Sequence, residues 1–169
     1  MATMRFRWGL RGYVAIGVLT VAVATAIGYR GETFDGVVIR VIDGDTIAFK
    51  GDQGEVTVRL QGIDAPELDQ AWGLEAKAAA ARLCLGEKVH VSVVDVDRYK
   101  RRVCDVRLPD DRDLANELVR IGAAWWHPQY APRDYVKKGL QIQARTSKIG
   151  LWSHPPSVEP WTHRHGLTR

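Results

Sequence analysis

Short runs of hydrophobic and β-branched residues alternate with turn residues over much of the chain. They cover residues 37–42, 46–50, 55–61, 89–96 and 103–108. In the third run Val56, Val58 and Leu60 fall on one face of an extended chain, and Arg59 falls on the other. Gly and Asp separate the first three runs, as is typical of hairpin turns. The pattern therefore predicts five β-strands.

Helical patterns follow the third and fifth strands. The alanine-rich residues 74–85 predict a helix that ends before Gly86, and residues 113–121 and 133–148 predict two more. The three prolines after residue 154 predict an irregular tail over residues 155–169. Five strands with three helices predict a mainly β, α+β domain over residues 34–154. The best candidate is an OB-fold, a five-stranded antiparallel barrel.

The N-terminal residues 1–30 have a different composition from the rest of the chain. Arg5, Arg7 and Arg11 precede an uncharged, mostly apolar run over residues 12–29. This pattern predicts either a signal peptide cleaved after Ala26 or an uncleaved transmembrane anchor. Because the arginines stay inside, both alternatives place the domain outside the cytoplasm, as a periplasmic, secreted or membrane-anchored protein. The membrane is a partner only if the segment is retained.

The net charge of +4 does not indicate a broadly basic protein. Four of the 24 basic residues lie in the first 30 residues, which contain no Asp or Glu, so the remaining chain carries 20 charges of each sign. A nucleic-acid site would therefore be a local patch rather than a global field. The two cysteines, Cys84 and Cys104, predict either a disulfide in an exported protein or two buried thiols.

Three carboxylates and an arginine lie close together in the sequence. Asp45 follows a glycine turn, Asp64 precedes Ala-Pro, and Glu67 follows that proline. Asp-Gly-Asp alone is more often a hairpin turn than a metal site. Together with Asp64 and Glu67, however, it supplies the oxygen ligands that select calcium or magnesium. Neighbouring Arg59 is suited to bidentate contact with a phosphate.

A second basic cluster lies just before the fifth strand. Residues 98–102 contain Arg98, Arg101 and Arg102, with Tyr99 among them. Runs of charge usually coat a solvated surface, but an interleaved aromatic side chain is able to stack on a nucleotide. Two arginines that flank one phosphate would offset the charge that develops at phosphorus during hydrolysis.

Five fragments in order resemble the thermonuclease (staphylococcal nuclease-like) family. They are Val-Ile-Asp-Gly-Asp-Thr (41–46), Arg-Leu-x-Gly-Ile-Asp-x-Pro-Glu (59–67), Asp-x-Tyr-x-Arg (97–101), Leu-Val-Arg-x-Gly (118–122) and Gly-Leu-Trp (150–152). The resemblance covers roughly residues 34–152. It implies an OB-fold barrel with three helices and a hydrolase, a calcium-dependent and sugar-nonspecific endonuclease that acts on DNA and RNA. It implies no protein partner.

The resemblance also implies roles for individual residues near the metal. Asp45 and Asp64 match the calcium carboxylates, and the main-chain carbonyl of Ala65 matches a further ligand. Asp43 matches a position that orients calcium-bound water. Glu67 matches the proposed general base, which would activate a water to attack phosphorus and leave a 3′-phosphate.

The remaining implied residues bind the nucleotide. Arg59 and Arg101 match the two phosphate-binding arginines, and Tyr99 matches a tyrosine that lies near the other phosphate of the bound nucleotide. The family usually has glycine where this chain has Lys100, which would be strained if that position requires a positive φ. Arg102 is then the alternative to Arg101. Family members that lack the carboxylates bind ligands without cleavage, so a catalytically weak or inactive nucleic-acid-binding module is the alternative function.

Overall fold

The computed structural model describes residues 31–153 and 157–166. The predicted signal peptide or membrane anchor, residues 1–30, lies outside the described residues. Within the two described ranges, no helix is long and apolar enough to cross a membrane.

A closed five-stranded barrel forms the body of the domain. The described residues contain seven strands, of which five belong to the barrel. They are β1 (Thr33–Val41), β2 (Thr46–Gly51), β3 (Gly54–Leu60), β4 (Ile63–Asp64), β5 (Lys88–Val96), β6 (Arg102–Arg107) and β7 (Trp125–Trp126). The barrel order is β1-β2-β3-β6-β5, and β4 and β7 form a separate two-stranded sheet. The five predicted strands are confirmed, and with them the OB-type architecture. The two short strands were not predicted, because two residues carry no periodic signal.

One pairing in the barrel differs from the prediction of a wholly antiparallel sheet. β3 and β6 run parallel, with Arg59 opposite Val103 and Leu60 opposite Cys104. The reason is the connection between them: the chain leaves β3 through a helix and β5 before it returns as β6. A crossover of this length is what a parallel pair requires.

Helices cover the barrel and extend from it. They are α1 (Gly73–Cys84), α2 (Leu114–Arg120), α3 (Tyr135–Thr146) and α4 (Pro160–Arg164), with a 3-10 helix at Gly150–Ser153. The first three confirm the predicted helices, with ends that shift by one or two residues. Helix α4 corrects the prediction of an irregular tail. Pro160 is its first residue, where the fixed φ of proline suits a helix and the missing N–H is not needed.

Close packing of α1 on the barrel fixes the turn between β1 and β2. The buried face of α1 includes Ala76 and Ala80, which join the same core as Phe49 and Leu60. A Cβ added at Gly44 would lie 2.5 Å from Ala65 Cβ and 2.9 Å from Ala76 Cβ. Only glycine therefore allows this turn to lie against both α1 and the segment after β4.

Helix α3 contributes an unexpected buried cation. Adjacent lysines on a helix usually lie on an exposed face, but of Lys137 and Lys138 only Lys138 is exposed; Lys137 is 5% exposed. Its Nζ donates to Asp134 Oδ2 at 2.8 Å, while Asp134 Oδ1 caps the helix by accepting from the Lys137 backbone N–H. The burial of the Lys137 charge is tolerated because the charge is paired with Asp134.

Both cysteines are free, buried thiols, and the disulfide considered from the sequence does not form. Cys84 lies at the end of α1 and its Sγ donates to the Ala80 carbonyl at 3.1 Å, whereas Cys104 lies in β6. Burial raises the pKa of each thiol to about 12. They therefore behave as small core hydrophobes rather than as reactive thiols.

We expect a thiol assay of denatured protein purified without reductant to find two free thiols per chain. The folded protein should react far more slowly, because both thiols are buried and protonated. The absence of free thiols after denaturation would contradict this part of the fold.

Candidate active site

The Asp45 carboxylate is held by groups from three parts of the chain. It is buried, at 2% exposure, at the end of the turn between β1 and β2. Its Oδ2 accepts from the Ala65 backbone N–H at 2.8 Å, and its Oδ1 accepts from Thr46 Oγ1 at 3.0 Å. The Asp45 backbone N–H in turn donates to Asp43 Oδ1. The carboxylate therefore has a fixed position and direction.

A single guanidinium joins the two buried aspartates. Arg59 Nη1 donates to Asp45 Oδ1 at 2.5 Å, and Arg59 Nη2 donates to Asp64 Oδ1 at 2.5 Å. Asp64 has no exposed surface, and the Arg59 side chain is 20% exposed. Since one guanidinium bonds both carboxylates, Asp45 and Asp64 lie close enough to share a cation.

Burial and neighbouring charge oppose each other at this pair. Burial, together with the negative charges of Asp43 and Asp64, raises the pKa of Asp45 to about 7, although Arg59 acts to lower it. Burial alone would lower the pKa of Arg59, but Asp45 and Asp64 outweigh it and raise that pKa. The site is thus a concentration of negative charge that requires cations.

Strand β4 positions Asp64 and the residues that follow it. Asp64 pairs with Trp125 of β7, a buried residue whose ring packs edge-on at 5.1 Å from that of Trp152. Trp126 Nε1 donates to the Ala131 carbonyl. The tryptophan pair therefore supports the site by packing, and neither ring lines the cleft described below. Glu67 lies three residues beyond Asp64 with its side chain 36% exposed.

A tight turn presents the second basic group. Asp97 Oδ1 accepts from the backbone N–H groups of Tyr99 and Arg101, and its Oδ2 accepts from Arg101 Nε at 2.7 Å. Lys100 has φ 62°, which confirms that this position needs the left-handed conformation that glycine adopts most easily. The Asp97 contacts nevertheless hold the backbone and side chain of Arg101.

The structure distinguishes the two candidate arginines. Arg101 lines the same cleft as Asp45 and Glu67. Arg102 belongs to β6, and its guanidinium lies over the Phe34 ring at 5.0 Å from the centroid. Arg102 is therefore not placed as a substitute for Arg101.

One cleft of about 620 Å³ unites almost all of the predicted site residues. Its lining includes Asp43, Asp45, Arg59, Ala65, Glu67, Tyr99 and Arg101. Asp64 lies beneath it, fully buried and bonded to Arg59. Arg102 is not part of the lining, and Cys84 and Cys104 are core residues. The residues come from the turn between β1 and β2, from β3, from the segment after β4 and from the turn before β6.

The cleft also contains a residue that the sequence did not predict. Arg164 of α4 bonds Asp64 and Glu67, and it lines the cleft together with Glu67. No local motif indicates a role for Arg164. It lies 100 residues beyond Asp64, in a segment that the sequence predicts to be irregular. Its pKa is raised: burial alone would lower it, but its bonds to Asp64 and Glu67 outweigh that effect.

The chemistry of the donors fits a hard cation. Asp45, Asp64 and the Ala65 carbonyl offer oxygen only, which selects calcium or magnesium over zinc. Among residues 31–153 and 157–166, no group of three His, Cys, Asp or Glu side chains is arranged to hold a metal. Both of these carboxylates are bonded to guanidinium groups in this conformation.

An OB-type barrel whose cleft sets carboxylates against guanidinium groups is suited to phosphodiester hydrolysis. A sequence profile described as staphylococcal nuclease homologue matches residues 57–154. The chain is 37% identical over 164 residues to a micrococcal nuclease of Shigella flexneri, covering 92% of this chain and 91% of the relative. It is 42% identical over 130 residues to an uncharacterized endonuclease of Escherichia coli O157:H7, covering 77% and 84%.

A further relative is Protein ParB of Escherichia coli, 39% identical over 166 residues that cover 92% of this chain and 90% of the relative. The chain belongs to the family of staphylococcal nuclease homologues. It is a nuclease, a hydrolase whose substrate is nucleic acid.

We expect Lys100→Gly to stabilise the protein by about 0.5–1 kcal/mol, because glycine removes the penalty of the left-handed conformation. Lys100→Ala is the matched control: it removes the same side chain but keeps the penalty, so its stability should stay near that of the wild type. Urea denaturation of the three proteins measures the difference. Equal stability of the glycine and alanine variants would contradict the assignment of strain to this turn.

Proposed function

We propose that the protein is a calcium-dependent phosphodiesterase that hydrolyses DNA and/or RNA and leaves 3′-phosphate ends. The observation that carries the proposal is the meeting, in one cleft, of buried Asp45 and Asp64 with Glu67, Arg59 and Arg101. This reaction needs carboxylates that bind a metal ion, a general base, and two cationic side chains that bind the phosphate.

The metal would be held at the floor of the cleft. Asp45, Asp64 and the Ala65 carbonyl are its ligands in this proposal, and Asp43 orients a bound water. When bound, calcium supplies positive charge that lowers the energy of an anionic phosphate and its attacking water. Family members are generally metal-dependent, and a set of oxygen-only donors favours a hard cation such as calcium.

The proton and the charge at phosphorus are assigned to separate residues. Glu67 accepts the proton of the attacking water, for which its partly exposed position beside Asp64 is suited. The water oxygen forms a bond to phosphorus, and the bond to the 5′-oxygen breaks, so the phosphate stays on the 3′-oxygen. Arg59 and Arg101 bind the non-bridging oxygens, and Tyr99 lies near the bound nucleotide.

Arg59 has to change partners for this reaction. Both of its terminal nitrogens are bonded to aspartate oxygens in the described conformation. A cation at Asp45 and Asp64 would replace the positive charge that Arg59 supplies to them, which frees the guanidinium for a phosphate. Metal binding and phosphate binding are therefore coupled in the proposed site.

The experiment is cleavage of heat-denatured DNA and of RNA by the full chain, first with calcium and then with excess chelator. We expect cleavage only with calcium, and end-group analysis should find 3′-phosphates. Cleavage that persists in chelator would contradict the calcium site, and 5′-phosphate ends would contradict the assigned bond. Binding without cleavage in both conditions would support the alternative, a nucleic-acid-binding module with this fold.

We expect Glu67→Gln to reduce turnover by about 10²-fold or more while the fold and the affinity for a nucleotide remain, since only the proton acceptor is lost. Glu75→Gln, an exposed position on α1, is the matched control and should leave turnover unchanged. Single-turnover kinetics with saturating enzyme separates the two. Near-normal turnover in Glu67→Gln would remove Glu67 from the role of general base.

A further inference from the structure

The C-terminal residues 157–166, here called the strap, place an arginine directly on the acidic residues of the site. Arg164 Nη2 donates to Asp64 Oδ2 at 2.6 Å, and Arg164 Nη1 donates to Asp64 Oδ1 at 3.2 Å and to Glu67 Oε1 at 2.5 Å. This guanidinium therefore contacts a proposed metal ligand and the proposed base at once.

Two ring and backbone contacts hold the strap near the cleft. The Trp161 ring packs on the ring of buried His127 with centroids 4.6 Å apart. Gln70 Nε2 donates to the Val158 carbonyl at 2.5 Å. Pro160 is buried at the start of α4. Arg164 therefore reaches the site from a segment packed against the domain and not from a loose end.

Two further contacts attach the strap: Ser157 Oγ donates to the Leu151 carbonyl, and a weaker contact lies next to Arg164. His163 Nε2 lies 3.3 Å from Asp69 Oδ1 on the loop before α1. The Arg164 side chain itself is 40% exposed, and Glu67 is 36% exposed. Because these contacts are few and partly solvated, the strap is able to open without disturbing the barrel.

The contacts of Arg164 occupy the atoms that the proposed reaction uses. Asp64 Oδ1 accepts from both Arg59 and Arg164, and Asp64 Oδ2 accepts from Arg164. Glu67 Oε1 is also bonded, so the guanidinium occupies an oxygen that the proposed base would use to accept a proton. Since a calcium ion needs the same oxygens, Arg164 and the metal compete for one position.

We propose that Arg164 is a tethered competitor of the metal, so that the strap closes the site until a divalent cation displaces the guanidinium. The inference rests on the proposed function, since it takes Asp64 as a metal ligand and Glu67 as the base. Displacement frees both carboxylates and opens the cleft to a nucleic-acid strand. The strap thereby sets the metal concentration at which the nuclease begins to act.

The expected size of the effect follows from population arithmetic. If the strap is closed in about nine molecules of ten, the apparent affinity for metal falls about tenfold relative to an open site. Removing the competing guanidinium should restore that factor. A positioning role for Arg164 predicts the opposite sign, because loss of the arginine would then weaken the site.

The first experiment is calorimetric titration of calcium, without substrate, into the full-length protein and two variants. Arg164→Gln removes the competitor, and Arg82→Gln removes the same charge from an exposed position at the end of α1. We expect about tenfold tighter calcium binding in Arg164→Gln and no change in Arg82→Gln. Equal or weaker binding in Arg164→Gln would overturn the proposal, as would equal tightening in both variants.

A second readout does not depend on activity. Amide hydrogen exchange over residues 157–166 should be faster in Arg164→Gln than in the wild type without metal, and faster in the wild type after calcium is added. Unchanged exchange in both comparisons would overturn the strap as a closing element.

The two proposals fail in different ways. Wild-type cleavage that depends on calcium, combined with unchanged affinity in Arg164→Gln, would overturn the strap alone. Absence of calcium binding in all three proteins would overturn the competition and the calcium site together, whereas the chelator experiment tests the nuclease chemistry independently.

Discussion

The buried carboxylate of Asp45 is the contact on which the geometry of the site depends. It joins the start of β2, the end of β3 through Arg59 and the segment after β4 through the Ala65 N–H. A buried charge is tolerated only where it is paired and hydrogen-bonded. Gly44 allows the turn to approach Ala65 closely enough for these bonds. One side chain thus fixes the relative positions of three chain segments.

The contacts that neutralise this charge also occupy the atoms that function requires. Asp45 and Asp64 share Arg59, and Asp64 and Glu67 share Arg164. Two guanidinium groups therefore serve as counter-ions for three carboxylates. The proposed metal would take over this role, which releases Arg59 toward a phosphate and Arg164 away from the base. Binding and release at the site are then exchanges of one cation for another.

Much of this arrangement was predictable because its signals are local. The carboxylates, Arg59 and the turn before Arg101 lie in short fragments whose turn residues fix their directions, and the alternating runs predicted the barrel strands. Glycine's usual place at position 100 raised the question of a positive φ there, and the structure shows that Lys100 adopts one.

The features that were missed depend on tertiary structure. The parallel β3–β6 pair follows from barrel closure, and the burial of Lys137 follows from the packing of its side chain beside Gly62. Arg164 reaches Asp64 across 100 residues because Trp161 packs on His127, which no local pattern indicates. The disulfide was considered from cysteine count alone, and count does not reveal that both thiols lie in the core.

The most direct test of the central claim is the stoichiometry of calcium binding to the wild type and to Asp64→Asn, measured by equilibrium titration with circular dichroism to confirm folding. We expect one calcium ion per wild-type chain and its loss in Asp64→Asn, whose neutral amide cannot replace the carboxylate. Folded Asp64→Asn that binds calcium as tightly as the wild type would contradict this expectation.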